Sequence, residues 1–155
     1  VPREKSPVRL PIDQTVIHDE TDWKTLHWRS LEAAYRSSPY FEYYEDDIKP
    51  FFESEQTQHF QTGYDSVKLV LDLLGLKFES KLTNKYATNF DGLDLRNAWN
   101  KQDYLKKNPV KEFPRYIQVF SDRHQFEPDL SILDLLFCLG PQSIEYLNNL
   151  ELTHS

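Results

Sequence analysis

The sequence predicts a helix-rich α+β fold, in a single domain with a few short strands. The length of 155 residues suits one domain. Apolar residues recur every three or four positions between about 58 and 74, which indicates an amphipathic helix. Residues 116–120 alternate as a strand should. Aromatic residues make up 14% of the chain and can supply a substantial core.

An extended arm is expected over residues 1–20, which contain three prolines, with one short strand at 14–18. Thr21 or Asp22 can cap a first helix that begins at Trp23. That helix should end near residue 37, because a proline at position 39 disfavours helical geometry at the residue before it.

The next segments are predicted to be mainly helical. A turn of helix over 40–45 should precede a separate helix, capped by Asp46 or Asp47 with Pro50 in its first turn. The helix over 58–74 should stop at Gly75, which can adopt a left-handed conformation.

A strand and a polar loop are expected over 76–90. The basic segment 100–115 is either a mobile surface loop or a flap that attracts phosphate.

The C-terminal part should contain the strand 116–120 and then a turn over 121–128. Asp129 can cap a helix that runs through Leu139 and stops at Gly140. Pro141 should open a last helix that ends near residue 150.

Composition excludes several classes of function. The net charge of −7 argues against a nucleic-acid partner, which requires a basic surface. No apolar run approaches the length of a membrane span, and the N-terminus has no signal core. The single cysteine, Cys138, fits a reducing cytoplasm and excludes an internal disulfide. The chain has no methionine, so we expect Val1 not to be the first translated residue.

We expect no cofactor and no metal site. The sequence contains no P-loop and no Gly-x-Gly-x-x-Gly motif, and its four glycines leave little room for a phosphate cradle. The acidic cluster of Asp19, Glu20 and Asp22 with His18 has a spacing that matches no standard metal site.

Asp134 is the first candidate functional residue. It interrupts the apolar run 130–137, so it should face the interior or a cleft. A buried carboxylate needs a cation or several donors, and the candidates are Arg29, Arg123, Arg96 and His27. We expect a guanidinium, from Arg29 or Arg123, because it offers two parallel hydrogen bonds to a carboxylate. Such a pair is either structural or orients an arginine that binds a ligand.

Histidine, arginine and aromatic residues are concentrated in the segment 27–44. His27 could act as a general base, or be a hydrogen-bonded packing residue. Tyr40, Tyr43 and Tyr44 could stack on a sugar ring, or pack in the core with their hydroxyls in water. Arg123 and His124 lie in a loop just after the predicted strand, where they are either site residues or solvated loop charges.

Two blocks, residues 27–53 and 116–141, and the motif at 94–99 resemble the WbqC-like protein family of bacteria. The polar residues that match the family pattern are His27, Arg29, Glu32, Tyr35, Asp94, Arg96, Arg123, Ser131 and Asp134. The sequence departs from it at Gln125, where we expect glycine, and at Asp129 and Cys138, where we expect asparagine.

The resemblance implies a bacterial protein encoded among surface-polysaccharide or O-antigen genes. It also implies that the chain is a single WbqC-like domain that lacks an N-terminal segment of the full-length protein. It implies no specific reaction.

Our leading hypothesis is a cytoplasmic enzyme, a transferase for example, that modifies an activated sugar or transfers a group to it. Arg29 and Arg123 would hold an anionic part of the small-molecule or nucleotide-sugar substrate, His27 would move a proton, and Asp134 would fix one arginine. Tyr35, Tyr40, Tyr43 and Arg96 would complete the substrate site. The alternative is a non-catalytic module that docks a partner protein through its aromatic surface. The sequence carries no prediction of oligomeric state.

Overall fold

The computed structural model describes residues 2–3, 10–18, 22–77, 79–83, 85–88, 110 and 112–151. Its α-helices, numbered here in chain order, are α1 (Trp23–Tyr35), α2 (Phe41–Glu53), α3 (His59–Leu73), α4 (Ile132–Leu139) and α5 (Ser143–Asn148). Short 3-10 turns lie at Ile12–Gln14 and Gly140–Gln142. The motif at 94–99, the candidate Arg96 and most of the basic segment 100–115 lie outside the described residues.

The predicted α+β class is wrong, because the described part of the chain is mostly helical and forms no sheet. The extended pairings between described residues are isolated antiparallel bridges, Arg3 with Ile17 and Val16 with Gln58. The first bridge joins two parts of the predicted arm, and the second attaches the arm to the residue before α3.

The predicted strand at 116–120 fails for a physical reason. Its alternation places polar Gln118 inside at 7% exposure, while the side chain of Ile117 is 84% exposed. The Gln118 amide bonds both backbone groups of Glu127, at 2.8 and 3.0 Å. The buried Gln118 side chain therefore closes the loop 118–127. The backbone of residues 116–120 pairs with no strand among the described residues.

A helical hairpin of α1 and α2 carries most of the core. Asp22 caps α1 as predicted, with its carboxylate accepting from the Thr25 N–H at 3.2 Å. Trp28 on α1 packs against Phe41 and Phe52, at ring-centroid distances of 5.9 and 5.8 Å. Phe41 and Phe137 of α4 are fully buried and lie 5.1 Å apart, so the hairpin and α4 share one core.

The helix α2 is continuous, where the sequence predicted a short turn followed by a second helix. Pro50 lies inside its last turn. The missing N–H of a proline removes one bond to the carbonyl four residues earlier, a small loss so near the helix end. Buried Phe41, Tyr44 and Ile48 follow helical spacing across the predicted break and stabilise the continuous helix.

The other helix ends agree with the sequence in part. Gly75 ends α3 with φ of +70°, as predicted. The N-cap of α4 is Ser131, not the expected Asp129, and its side chain accepts from Leu133. Asp129 instead adopts φ of +59°, a conformation that aspartate tolerates better than most residues.

Candidate functional site

The start of α2 presents a tyrosine surface, which we define as Tyr40, Tyr43 and Tyr44. Tyr43 is 67% exposed and meets the ring of buried Tyr44 edge-on, at a centroid distance of 4.8 Å. Burial raises the pKa of Tyr44, and the nearby phenols of Tyr43 and Tyr40 raise it further. The three hydroxyls therefore lie near one another, and Tyr43 offers a ring to solvent.

Tyr40 is held in place by the end of α4. Its backbone N–H donates to the Phe137 carbonyl at 3.0 Å. Its ring lies over Gly140, so closely that a Cβ on that glycine would come within 2.5 Å of it. The end of α4 therefore fixes the first residue of the tyrosine surface.

Carboxylates extend this surface along α2. Asp46 and Asp47 follow Tyr43 by three and four residues, so they lie on the same side of the helix, and both are exposed. Neither joins an ion pair with another described residue. The arginine at the hairpin turn, Arg36, is occupied by Glu32 and Glu45. The surface is therefore aromatic and acidic.

Asp134 is buried, at 2% exposure, but its partners are tyrosines. The Tyr116 hydroxyl donates to its Oδ2 at 2.6 Å. The Tyr35 hydroxyl interacts with the same carboxylate, and burial followed by this charge raises the pKa of Tyr35. No ion pair joins Asp134 to another described residue, so the predicted pairing with Arg29 or Arg123 is not formed.

The buried polar network around Asp134 ties the segment 112–130 to α4. Gln118 reaches the Tyr116 hydroxyl at 3.4 Å while it holds Glu127. Cys138, one turn after Asp134, also faces this segment. Burial, followed by the charge of Asp134, raises the pKa of its thiol to about 11. A thiol so fully protonated at neutral pH is a packing group and not a nucleophile.

The other predicted site residues lie apart. His27 is exposed on α1, beside Trp23 at a ring distance of 5.4 Å, and Arg29 is exposed on the same helix. Arg123 is exposed in its loop and pairs with the adjacent Asp122 at 3.5 Å. Eight residues along α1 separate His27 from Tyr35, roughly 12 Å of helix axis.

The structure therefore brings together Tyr40 and Tyr43, and separately Asp134 and Tyr35. It does not join either pair to an arginine among the described residues.

Sequence reasoning missed Tyr116 and Gln118 as the groups around Asp134. A signal was present, since residues two apart in an extended segment point the same way and both carry hydrogen-bond donors. The strand prediction accounted for the apolar members of the segment and not for these two polar residues.

The described residues contain no cluster of three or more histidine, cysteine, aspartate or glutamate side chains suited to a metal ion. Among the helices that the structure describes, none combines the length and the apolar character that a bilayer crossing requires.

Comparison with known proteins places the chain in one family. A protein of Mycobacterium tuberculosis, named "Uncharacterized protein Rv1507c", is 26% identical over 172 aligned positions, which cover 88% of this chain and 68% of that protein. No solved structure matches the chain. The model of the WbqC-like protein family matches residues 1–113, which include the resembling blocks at 27–53 and 94–99 but not the block at 116–141. Because this match covers most of its length, the chain belongs to the WbqC-like protein family.

Proposed function

We propose that this chain binds the sugar part of an activated sugar during assembly of a bacterial surface polysaccharide, and acts there as a transferase or other sugar-modifying enzyme. The observation that carries the proposal is the exposed ring of Tyr43, held on Tyr44 beside the carboxylates of Asp46 and Asp47. The polysaccharide context is an expectation from the family resemblance.

The chemistry of the surface fits a sugar. An exposed aromatic ring offers an apolar face to the C–H side of a pyranose, while its hydroxyl remains in water. Carboxylates accept strong hydrogen bonds from hydroxyl donors, and two of them one turn from Tyr43 can bind neighbouring sugar hydroxyls.

The negative charge beside the tyrosine surface determines which part of an activated sugar can bind there. Asp46, Asp47 and nearby Glu42 are all acidic, and Arg36 is already paired with two glutamates. A phosphate would be repelled by this surface, so a nucleotide must point away from it. The surface therefore favours a neutral sugar or an amino sugar.

The catalytic half of the proposal rests on different residues. His27, Arg29 and Arg123 are exposed, so a substrate can reach them. His27 would move a proton and the arginines would hold the anionic part of the substrate. Asp134 fits this scheme only as an internal support, because tyrosines surround its carboxylate.

The test is a titration of the full chain with neutral sugars, amino sugars and nucleotide sugars, followed by NMR. Tyr43→Ala should weaken binding at least about tenfold, the loss expected when one stacking ring is removed. Tyr86→Ala is the matched control, since Tyr86 is 78% exposed outside this surface. Equal affinity in both variants, or no sugar binding at all, would refute the proposal.

The second candidate is a non-catalytic docking module. A specific observation favours it: the segment 117–130 exposes three large apolar side chains, Ile117, Phe120 and Leu130, at 84%, 45% and 43%. A contiguous exposed apolar patch is typical of a contact surface, and in this second candidate the three side chains form one. Ile117→Asp should then abolish complex formation with the partner protein, while Tyr43→Ala preserves it.

A further inference from the structure

We infer that Gly140 is a positioning residue for the tyrosine surface: because it has no side chain, the ring of Tyr40 can lie against the end of α4 and keep its opposite face for the ligand. The inference rests on the proposed function, and it adds a second stacking ring to that of Tyr43. Tyr40 is partly exposed, so a ligand can reach it. Gly140 is buried, so it acts through Tyr40 and not by touching the ligand.

Gly140 meets Tyr40 on the face of the aromatic ring. A Cβ on Gly140 would lie 2.5 Å from Cδ1 of Tyr40 and 2.6 Å from both Cε1 and Cγ. These three ring atoms are consecutive, and a point nearly equidistant from them at this range lies above the ring and not beyond its edge. Carbon atoms that are not bonded pack at about 3.5–4.0 Å. The covered face therefore has room for the hydrogen of a glycine and none for a methyl group.

The backbone on both sides of this contact is fixed. The Tyr40 N–H donates to the Phe137 carbonyl at 3.0 Å, and the Gly140 N–H bonds the last turn of α4. The turn before Tyr40 is attached to α1, because buried Ser38 donates to the Tyr35 carbonyl through its N–H at 2.8 Å and its hydroxyl at 2.7 Å. A side chain at position 140 would therefore displace the ring of Tyr40 and not the backbone beneath it.

This placement prepares Tyr40 for a ligand. Tyr43 and Tyr44 follow Tyr40 by three and four residues, so the three side chains lie on one side of the start of α2. A pyranose that stacks on the exposed ring of Tyr43 then meets the uncovered side of Tyr40 beside it. Rings that are already in place lose little entropy when the sugar binds, so their fixed position raises the affinity.

A competing explanation assigns Gly140 to its backbone conformation alone. Its φ of 56° and ψ of −128° are rarely adopted by residues with a side chain. Gly75 separates the two explanations, because it also has a positive φ, of 70°, yet a Cβ there would meet nothing within 4 Å. Both glycines end a helix, and the aromatic ring is present at Gly140 alone of the two.

The experiment is a double-mutant cycle in the full chain, with Gly140→Ala and Tyr40→Ala made singly and together. Methyl glucoside, a neutral sugar, and glucosamine, an amino sugar, are titrated into each variant and followed by NMR. Each single change should weaken binding about tenfold, the loss of one stacking ring. In the Tyr40→Ala chain, adding Gly140→Ala should weaken binding no further, because no ring remains to be displaced. Gly75→Ala is the matched control and should leave binding unchanged.

Urea denaturation of the same variants tests the contact without a ligand. Gly140→Ala should lower the denaturation midpoint less in the Tyr40→Ala chain than in the native chain, since the added methyl group then has room. A Gly140→Ala chain that folds only when Tyr40→Ala is also present would support the contact in the same way. A Gly140→Ala change that prevents folding in both chains would assign the glycine to backbone strain alone and overturn the inference.

Two further outcomes would overturn it: equal losses of sugar affinity in Gly140→Ala and Gly75→Ala, or an equal effect of Gly140→Ala with and without the Tyr40 ring. The result is separable from the proposed function. Sugar binding that depends on Tyr43 but not on Gly140 would refute the positioning role and leave the proposed function standing. Absence of sugar binding by the native chain would refute the proposed function itself, and with it the ligand assigned to Tyr40.

Discussion

The hydroxyls of Tyr116 and Tyr146 make hydrogen bonds of different strength in the same region of the fold. Tyr116 donates to a buried carboxylate at 2.6 Å, whereas Tyr146 donates to the Pro114 carbonyl at 2.9 Å. Their rings meet edge-on, 5.3 Å apart. A hydrogen bond to a charged group is stronger than one between neutral groups, and a buried charge suffers more when it loses a donor.

Tyr116→Phe should therefore lower the free energy of unfolding by about 1.5–3 kcal/mol, because among the described side chains Asp134 then keeps only its interaction with Tyr35. Tyr146→Phe is the matched control and should cost about 0.5–1.5 kcal/mol. Urea denaturation of both variants measures the difference. If the control costs as much as Tyr116→Phe, the carboxylate has another donor and the proposed network is wrong.

The end of α4 positions the tyrosine surface through a glycine. Three glycines show different physical reasons why an alanine would or would not be tolerated. Gly140 follows α4 with φ of +56°, and a Cβ there would come within 2.5 Å of the Tyr40 ring. Gly75 follows α3 with φ of +70° but has open space around it. Gly63 lies inside α3, also in open space and without a positive φ. An alanine would therefore meet backbone strain and a steric conflict at Gly140 and backbone strain alone at Gly75. At Gly63 only helix propensity changes.

The three alanine variants should rank accordingly. Gly63→Ala should stabilise the fold by about 0.5–1 kcal/mol, since alanine is the better helix former. Gly75→Ala should cost about 1–2 kcal/mol for its left-handed backbone alone. Gly140→Ala should cost more than Gly75→Ala, because Tyr40 must also move. Thermal or urea unfolding gives the ranking, and equal costs at 75 and 140 would show that the Tyr40 ring yields freely.

At the scale of the whole molecule, features set by neighbouring residues, such as helix caps and helix ends, could be predicted from the sequence. Contacts between distant segments could not. The Asp22 cap and the stop at Gly75 depend on a few neighbouring residues, and both are confirmed. The strand at 116–120 needed a distant partner that no local pattern specifies. The burial of Asp134 followed from its apolar neighbours, but its partners came from residues 35 and 116, far apart in sequence. Charge alone predicted an arginine partner for Asp134, whereas in the folded core its partners are the hydroxyls of Tyr35 and Tyr116.

The same buried network predicts how the fold responds to alkaline pH. Burial raises the pKa of Cys138 from 9.0 to about 11, and it raises the pKa values of Tyr35 and Tyr116 above 10.0, with the Asp134 charge adding to each. All three groups are acids that keep their protons longer in the folded state. The unfolded chain therefore loses protons first as pH rises, and the free energy of unfolding falls.

Urea denaturation between pH 7 and 11 should show stability that is level up to about pH 9, falls between 9 and 10, and falls more steeply above 10. The first decline belongs to the thiol. The second adds the phenols of Tyr35 and Tyr116, together with those of Tyr44 and Tyr146, whose pKa values burial also raises. Cys138→Ser, which cannot titrate in this range, should remove the decline between pH 9 and 10 and retain the steeper one above 10. A profile that is level to pH 11 would mean that the thiol and the phenols ionise as readily in the folded chain as in the unfolded one. A profile that is identical in the variant would mean this of the thiol.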